Sequence, residues 1–86
     1  MKKIIWYPHA RVRLKERAID IKNVHLAVNT PNQVIHKGRF RIFHKIYHDH
    51  RRNKDYMLRV FAEEYEGEVI VHSLYRTSKI AKYWRK

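Results

Sequence analysis

The sequence contains no cysteine, only two glycines and two prolines, and eight acidic residues against twenty Lys and Arg. The missing cysteine excludes disulfides, thiolate catalysis and Cys-based zinc sites, while leaving the compartment open. The apolar opening Ile4-Ile5-Trp6 is far too short to span a bilayer or to form the core of a secretion signal. A soluble, cytoplasmic protein is the expectation. A glycine-rich phosphate loop, a serine-centred triad and a carboxylate pair suited to acid–base work are all missing. Proton transfer near neutral pH is left to the seven histidines.

What the chain has is positive charge and aromatic rings together. The formal charge is +12 with His neutral, and six Tyr, three Phe and two Trp stand among 86 residues that are 44% hydrophobic. A disordered basic tail would lack those rings, so residues 1–86 are expected to form one folded domain with a modest core. Basic residues run through the whole sequence, giving a field that attracts polyanions. Nucleic acid is the first partner this suggests, an acidic protein the second and an anionic membrane surface the last.

The pattern of apolar residues sets the fold class. Lys3-Ile4-Ile5-Trp6-Tyr7 suits a short strand, and Pro8 stops it and opens a helix running to about Arg17, with Val12 and Leu14 as its apolar positions. Asp20 is placed to cap a second helix from Ile21 to about Asn29, with Ile21, Val24, Ala27 and Val28 on one side. Asn29-Thr30-Pro31-Asn32 ends it. Gln33 to His36 and Arg39 to Tyr47 then read as a hairpin turned at Gly38, His48 to Asp55 as an exposed basic loop, and Tyr56 to Glu63 and Glu68 to Tyr75 as two strands turned at Glu66-Gly67. The expected architecture is α+β, in the order β-α-α-β-β-β-β, with an antiparallel sheet and two helices on one face.

Several groups qualify as site candidates. His9, Arg13 and Arg17 recur at helical spacing and share one stripe, with His9 near the positive end of the helix dipole; the same stripe also fits a solvated basic face. If the last hairpin turns at Glu66-Gly67, Arg59, His72 and Arg76 point to one side of the sheet, and His44 joins them if Tyr47 pairs with Tyr56. Half-exposed strand residues account for that row equally well. Arg51 and Arg52 lie in the polar loop, which suits tracking of a phosphate backbone. His44, His48, Asp49 and His50 are metal-ligand types, but neither their spacing nor the loop fixes a tetrahedron, and no metal or cofactor is expected. In the tail, Lys79, Lys82, Tyr83 and Trp84 combine charge with rings that either stack on bases or dock on the core.

The pattern His9-Ala10-x-x-Arg13-Leu14-x-x-Arg17-x-Ile19, a helix ending near Asn29-x-Pro31, the Arg59-Val60 strand, and Val71-x-x-x-Tyr75-Arg76-Thr77-Ser78 with Tyr83 resemble a family of small bacterial and phage domains placed near the RelE- and BrnT-type toxins. The resemblance spans nearly the whole chain in short, degenerate pieces. It implies a RelE-like fold and a metal-independent endoribonuclease, acting on RNA or ribosome-bound mRNA and silenced by an acidic antitoxin. In that chemistry His9 or His72 serves as base or acid, Arg13, Arg59 and Arg76 hold the phosphorane, and Tyr75, Lys79 or Tyr83 completes the acid step or stacks on a base. Arg17, Arg51, Arg52 and Lys82 would bind the RNA backbone, although a structural role for Arg17 is equally open. A non-catalytic nucleic-acid-binding module needs the same charge and no cleavage.

Overall fold

Pro8 has no N–H to give a strand and a φ already suited to a helix, so the chain changes structure there. In the computed structural model, which describes residues 1–86, strand β1 (Lys3–Trp6) leads through Tyr7 into helix α1 (Pro8–Glu16). Helix α1 buries Ala10 and partly buries Leu14, whereas Val12, expected on the apolar side, is 53% exposed. The helix ends with Ala18 in the left-handed region, φ 49°. There the Ala18 N–H donates to the Lys15 carbonyl at 3.1 Å and the Ile19 N–H to that of Leu14 at 3.0 Å. These two bonds cap the helix and drive Ile19 into the core beside Leu14. Glycine would hold this conformation without the steric cost of a Cβ. Ala18→Gly is expected to stabilise the fold by about 1 kcal/mol, seen as a higher urea midpoint at unchanged slope. A lower midpoint would show that the Cβ contributes packing that outweighs its strain.

Asp20 caps helix α2 (Ile21–Asn29), accepting the Lys22 N–H at 2.9 Å. Val24, Ala27 and Val28 are buried, while Ile21, expected with them, is 43% exposed. Strands β2 (Gln33–Lys37), β3 (Phe40–Asp49), β4 (Lys54–Tyr65) and β5 (Glu68–Thr77) follow, then a short helix α3 (Ile80–Tyr83) in the segment expected to be a tail. The turns fall at Gly38-Arg39 and Glu66-Gly67, with positive φ at both glycines. The stretch His48 to Asp55, expected as a loop, is mostly hairpin: Asp49 pairs with Lys54, leaving only residues 50–53 as the turn.

The sheet has the order β1-β5-β4-β3-β2. It is mixed, not wholly antiparallel, because β1 pairs parallel with β5. The physical reason is the connection: β1 leaves through two helices that cross the sheet to its far edge, so no hairpin constrains its direction. The core lies between those helices and one sheet face, where Phe43, Leu58, Val60, Val71 and Leu74 are buried. No helix is long and apolar enough to cross a membrane.

One irregularity governs where the polar groups point. Phe61 pairs with Ser73 and Ala62 with Val71, so His72 is an extra residue in β5. Beyond this bulge the alternation of β5 is inverted. Arg59 lies opposite Tyr75 and Leu58 opposite Arg76, which sends Arg76 to the helix-bearing face and corrects the expected row of Arg59, His72 and Arg76. Tyr47 does pair with Tyr56, and His44 stands opposite Arg59.

Candidate nucleic-acid interface

The sequence candidates separate into three places. The first is the sheet face away from α1 and α2. His44 is fully buried there, its Nε2 3.0 Å from Arg59 Nε and its Nδ1 3.1 Å from Gln33 Oε1. A guanidinium only donates, so Nε2 accepts and the His44 proton sits on Nδ1. Burial first, then the charges of Arg59 and Arg85, lower its pKa from 6.5 to about 4, leaving the imidazole neutral. Arg59 also donates to the Tyr75 hydroxyl at 2.6 Å and lies 4.3 Å from the Tyr83 ring centroid. The tail continues to β2, where Gln33 Oε1 accepts the Arg85 N–H at 3.1 Å and Gln33 Nε2 donates to the Arg85 carbonyl. Chain segment 78–85 therefore crosses this face. Tyr83 docks on protein, while Lys79 and Lys82 remain exposed on the outside.

The second place is the bulge. His72 lies between Tyr7 and Phe40, with ring centroids 4.0 and 5.1 Å away, and its Nε2 is 2.7 Å from Glu63 Oε1. Glu63 is held below the ordinary carboxylate range, mainly by the Tyr65 hydroxyl and then by His72.

The third place gathers guanidiniums. Arg76 crosses to the helix face near the end of the sheet, where it lines a cleft of about 460 Å³ with Arg17 and Tyr75. It also lines a second cleft of about 370 Å³, which includes Asn23, Tyr47, His48, His50, Arg51 and Arg52. Arg76 thus joins two adjacent clefts. The packing of each group is local and specific. Arg17 reaches across to donate to the Leu74 carbonyl at 2.8 Å, so its structural partner is a backbone oxygen. Asp49 accepts the Arg51 and Arg52 N–H groups at 3.0 and 3.1 Å, and its other oxygen lies 2.9 Å from Arg52 Nη1 and 3.5 Å from Arg76 Nη1. Its carboxyl is held low, chiefly by the Arg52 backbone N–H, against partial desolvation. Asp49 braces the turn; together with Asp20 it sets two carboxylates against the guanidiniums of Arg51, Arg52 and Arg76 in the second cleft, leaving a small excess of positive charge.

Of the expected residues, Arg17 and Arg76 line the first cleft and Arg51, Arg52 and Arg76 the second, while Tyr75 borders the first with its hydroxyl held by Arg59 on the other face. Arg59 and His72 line neither. His9 and Arg13 are exposed on α1 without a side-chain hydrogen bond or ion pair and line neither cleft. Sequence reasoning passed over His48, His50, Asn23 and Tyr47 as members of this site. The composition His-Asp-His-Arg-Arg marks the loop as suited to tracking a phosphate backbone, but it offers His48 and His50 individually only as metal-ligand types. In the structure His44 and His48 point into different surroundings, and no group of three or more ligand-type side chains converges on a point. No protein-family model, curated protein or solved structure matches the chain.

Proposed function

We propose that this protein is a RelE/BrnT-like toxin: a cytoplasmic, metal-independent endoribonuclease that acts on RNA, ribosome-bound mRNA included, and is silenced by an acidic antitoxin. The observation that carries this reading is the convergence of Arg17, Arg51, Arg52 and Arg76 around two clefts at one end of the sheet. Guanidiniums stay charged and bind two phosphate oxygens at once, which suits both the backbone of RNA and the charge that builds during its cleavage. A compact α+β domain with two helices on one sheet face is compatible with the resemblance that suggested the toxin. A net charge of +12 favours an acidic antitoxin segment over a neutral one.

Growth arrest on expression, relieved by a co-expressed acidic neighbour, together with cleaved cellular RNA, tests the whole reading. Normal growth and intact RNA would refute it. On the binding side, Arg76→Ala is expected to weaken affinity for single-stranded RNA across sequences and to lower the slope of log K against log salt by about 0.7, the value of one phosphate contact. An unchanged slope would take Arg76 out of the interface. A second reading, a non-catalytic RNA-binding module, is favoured by the isolation of His9 and Arg13 from Arg59 and Arg76. It predicts the same salt dependence with no cleaved product.

A further inference from the structure

Guanidiniums alone do not account for the second cleft. Its volume of about 370 Å³ is that of a small-ligand site, and uncharged polar groups stand in its wall beside the cations. Asn23 is one of them. Ala27, one turn later on α2, is fully buried against the sheet, so the helical period turns Asn23 toward the sheet as well, at the level where the core ends. Its amide is half-buried, makes no hydrogen bond within the protein and is still reached by solvent. Tyr47 comes from the other wall. It shares a face of β3 with Phe43 and Asp49, the face turned to the helices, and the register through β4 and β5 puts Arg76 on that same face. The Tyr47 hydroxyl has no protein partner either. Asp20, three residues before Asn23, uses one oxygen to accept the Lys22 N–H and leaves the other free at the wall of the cleft. A phosphate needs none of these three groups, and a carboxylate repels it.

From this arrangement we infer that the second cleft is a nucleobase subsite, in which Asn23 and Asp20 select a base with an amino group beside a ring acceptor, adenine or cytosine, over uracil. The subsite rests on the RNA-binding part of the reading above. The Asn23 amide donates to the ring nitrogen and accepts from the neighbouring amino group, a two-point contact that an amide makes in one plane. The free oxygen of Asp20 accepts the second amino hydrogen. Uracil also offers an amide a donor and an acceptor, N3–H and O4, but it brings a carbonyl oxygen against the carboxylate where the other bases bring N–H. Selection against it therefore comes from repulsion as much as from a lost hydrogen bond. Tyr47 gives the base an aromatic surface and a hydroxyl, and Arg51, Arg52 and Arg76 hold the adjoining phosphate.

The test measures binding of the full chain to a short oligouridylate and to the same oligomer with adenosine or cytidine at its centre, all with 2′-fluoro riboses so that no 2′-oxygen can attack the backbone. Equal phosphates make the salt-dependent part of the affinity equal, so a difference reports the base. The adenine and cytosine oligomers are expected to bind about 10-fold more tightly than the uridine oligomer. Asn23→Ala, at a helix position that alanine suits, removes that preference and leaves the slope of log K against log salt unchanged. Asp20→Asn keeps a helix cap and raises the uridine affinity toward the other two, because an amide can donate to O4. Arg76→Ala weakens all three alike and preserves the preference. Equal affinity of the unaltered chain for the three oligomers, or a preference untouched by both Asn23→Ala and Asp20→Asn, overturns the subsite and leaves the RNA reading in place. Failure to bind any of the three also overturns the subsite; if longer mixed-sequence RNA, free or on ribosomes, is not bound either, the RNA reading falls with it.

Discussion

Replacing Arg59 by Ala is expected to destabilise the fold by about 3 kcal/mol and to release the C-terminal segment from the sheet. Two losses add. The buried Nε2 of His44 loses its only donor, which costs about 1–3 kcal/mol for a desolvated group left unpaired. The cation between the rings of Phe61, Tyr75 and Tyr83 also disappears, with centroid distances of 5.2, 5.6 and 4.3 Å, and such contacts contribute about 0.5–2 kcal/mol. Tyr83 is the tail residue held by that cation, so its release frees the chain toward Arg85. Urea unfolding measures the first effect, and faster tryptic cleavage at Lys82 and Arg85 under native conditions measures the second. Arg13→Ala, which removes an exposed guanidinium with no partner, stays within about 0.5 kcal/mol. Equal stability of the two variants, with an unaltered tail, would show that Arg59 is not a fastening. A group so enclosed by its own protein is a poor holder of phosphate, which is why the cationic function is assigned to the Arg76 end.

How much of this was readable beforehand depends on which residues had to be placed. The α+β class followed from two local signals: Asp20 at a helix start, and hairpins at glycines whose positive φ other residues rarely adopt. The position of His44 opposite Arg59 was readable only on the condition that Tyr47 pairs with Tyr56, because alternation fixes which face a side chain takes but a two-residue slip keeps every face, and the observed pairing meets that condition. The inversion of β5 was not. In Glu68 to Tyr75 apolar residues stand at odd and even positions alike (Val69, Ile70, Val71, Leu74), so a change of face leaves no mark in the pattern, and the residue that bulges, His72, is stabilised by Tyr7 and Glu63, which are distant in sequence. That single insertion separates Arg76 from Arg59 and creates the cationic end.

The hairpin tip escaped for a related reason. A two-stranded ribbon that runs past the edge of the core needs no apolar residues, so His48-Asp49 and Lys54-Asp55 have the composition of a loop. Only the observed register shows that His48 and Asp55 face each other. The parallel pairing of β1 likewise depends on a path over the helices that no local pattern encodes.

Between about pH 6.5 and about pH 4 the protein is expected to lose up to about 3 kcal/mol of stability through His44 alone. The sign follows from proton counting. In the unfolded chain the imidazole titrates at its ordinary 6.5, whereas in the fold it resists protonation down to about 4, so the unfolded state binds more protons throughout that interval. Stability is therefore complete above the upper value and falls as the pH drops, by about 1.4 kcal/mol per unit where one proton is taken up. Asp49 and Glu63, held below the ordinary carboxylate range, act in the same direction but only at the acid end. Urea unfolding between pH 5 and 6.5 isolates the histidine. His44→Gln, which keeps an acceptor for Arg59 and a donor for Gln33 without titrating, is expected to flatten the slope there; an unchanged slope would assign it to another group. Arg59→Ala separates the causes. Burial outranks charge in lowering this pKa, so removing the cation raises the midpoint only partway toward 6.5 while the released tail admits water. The acid sensitivity and the fastening of residues 79–85 are two readouts of one buried neutral imidazole.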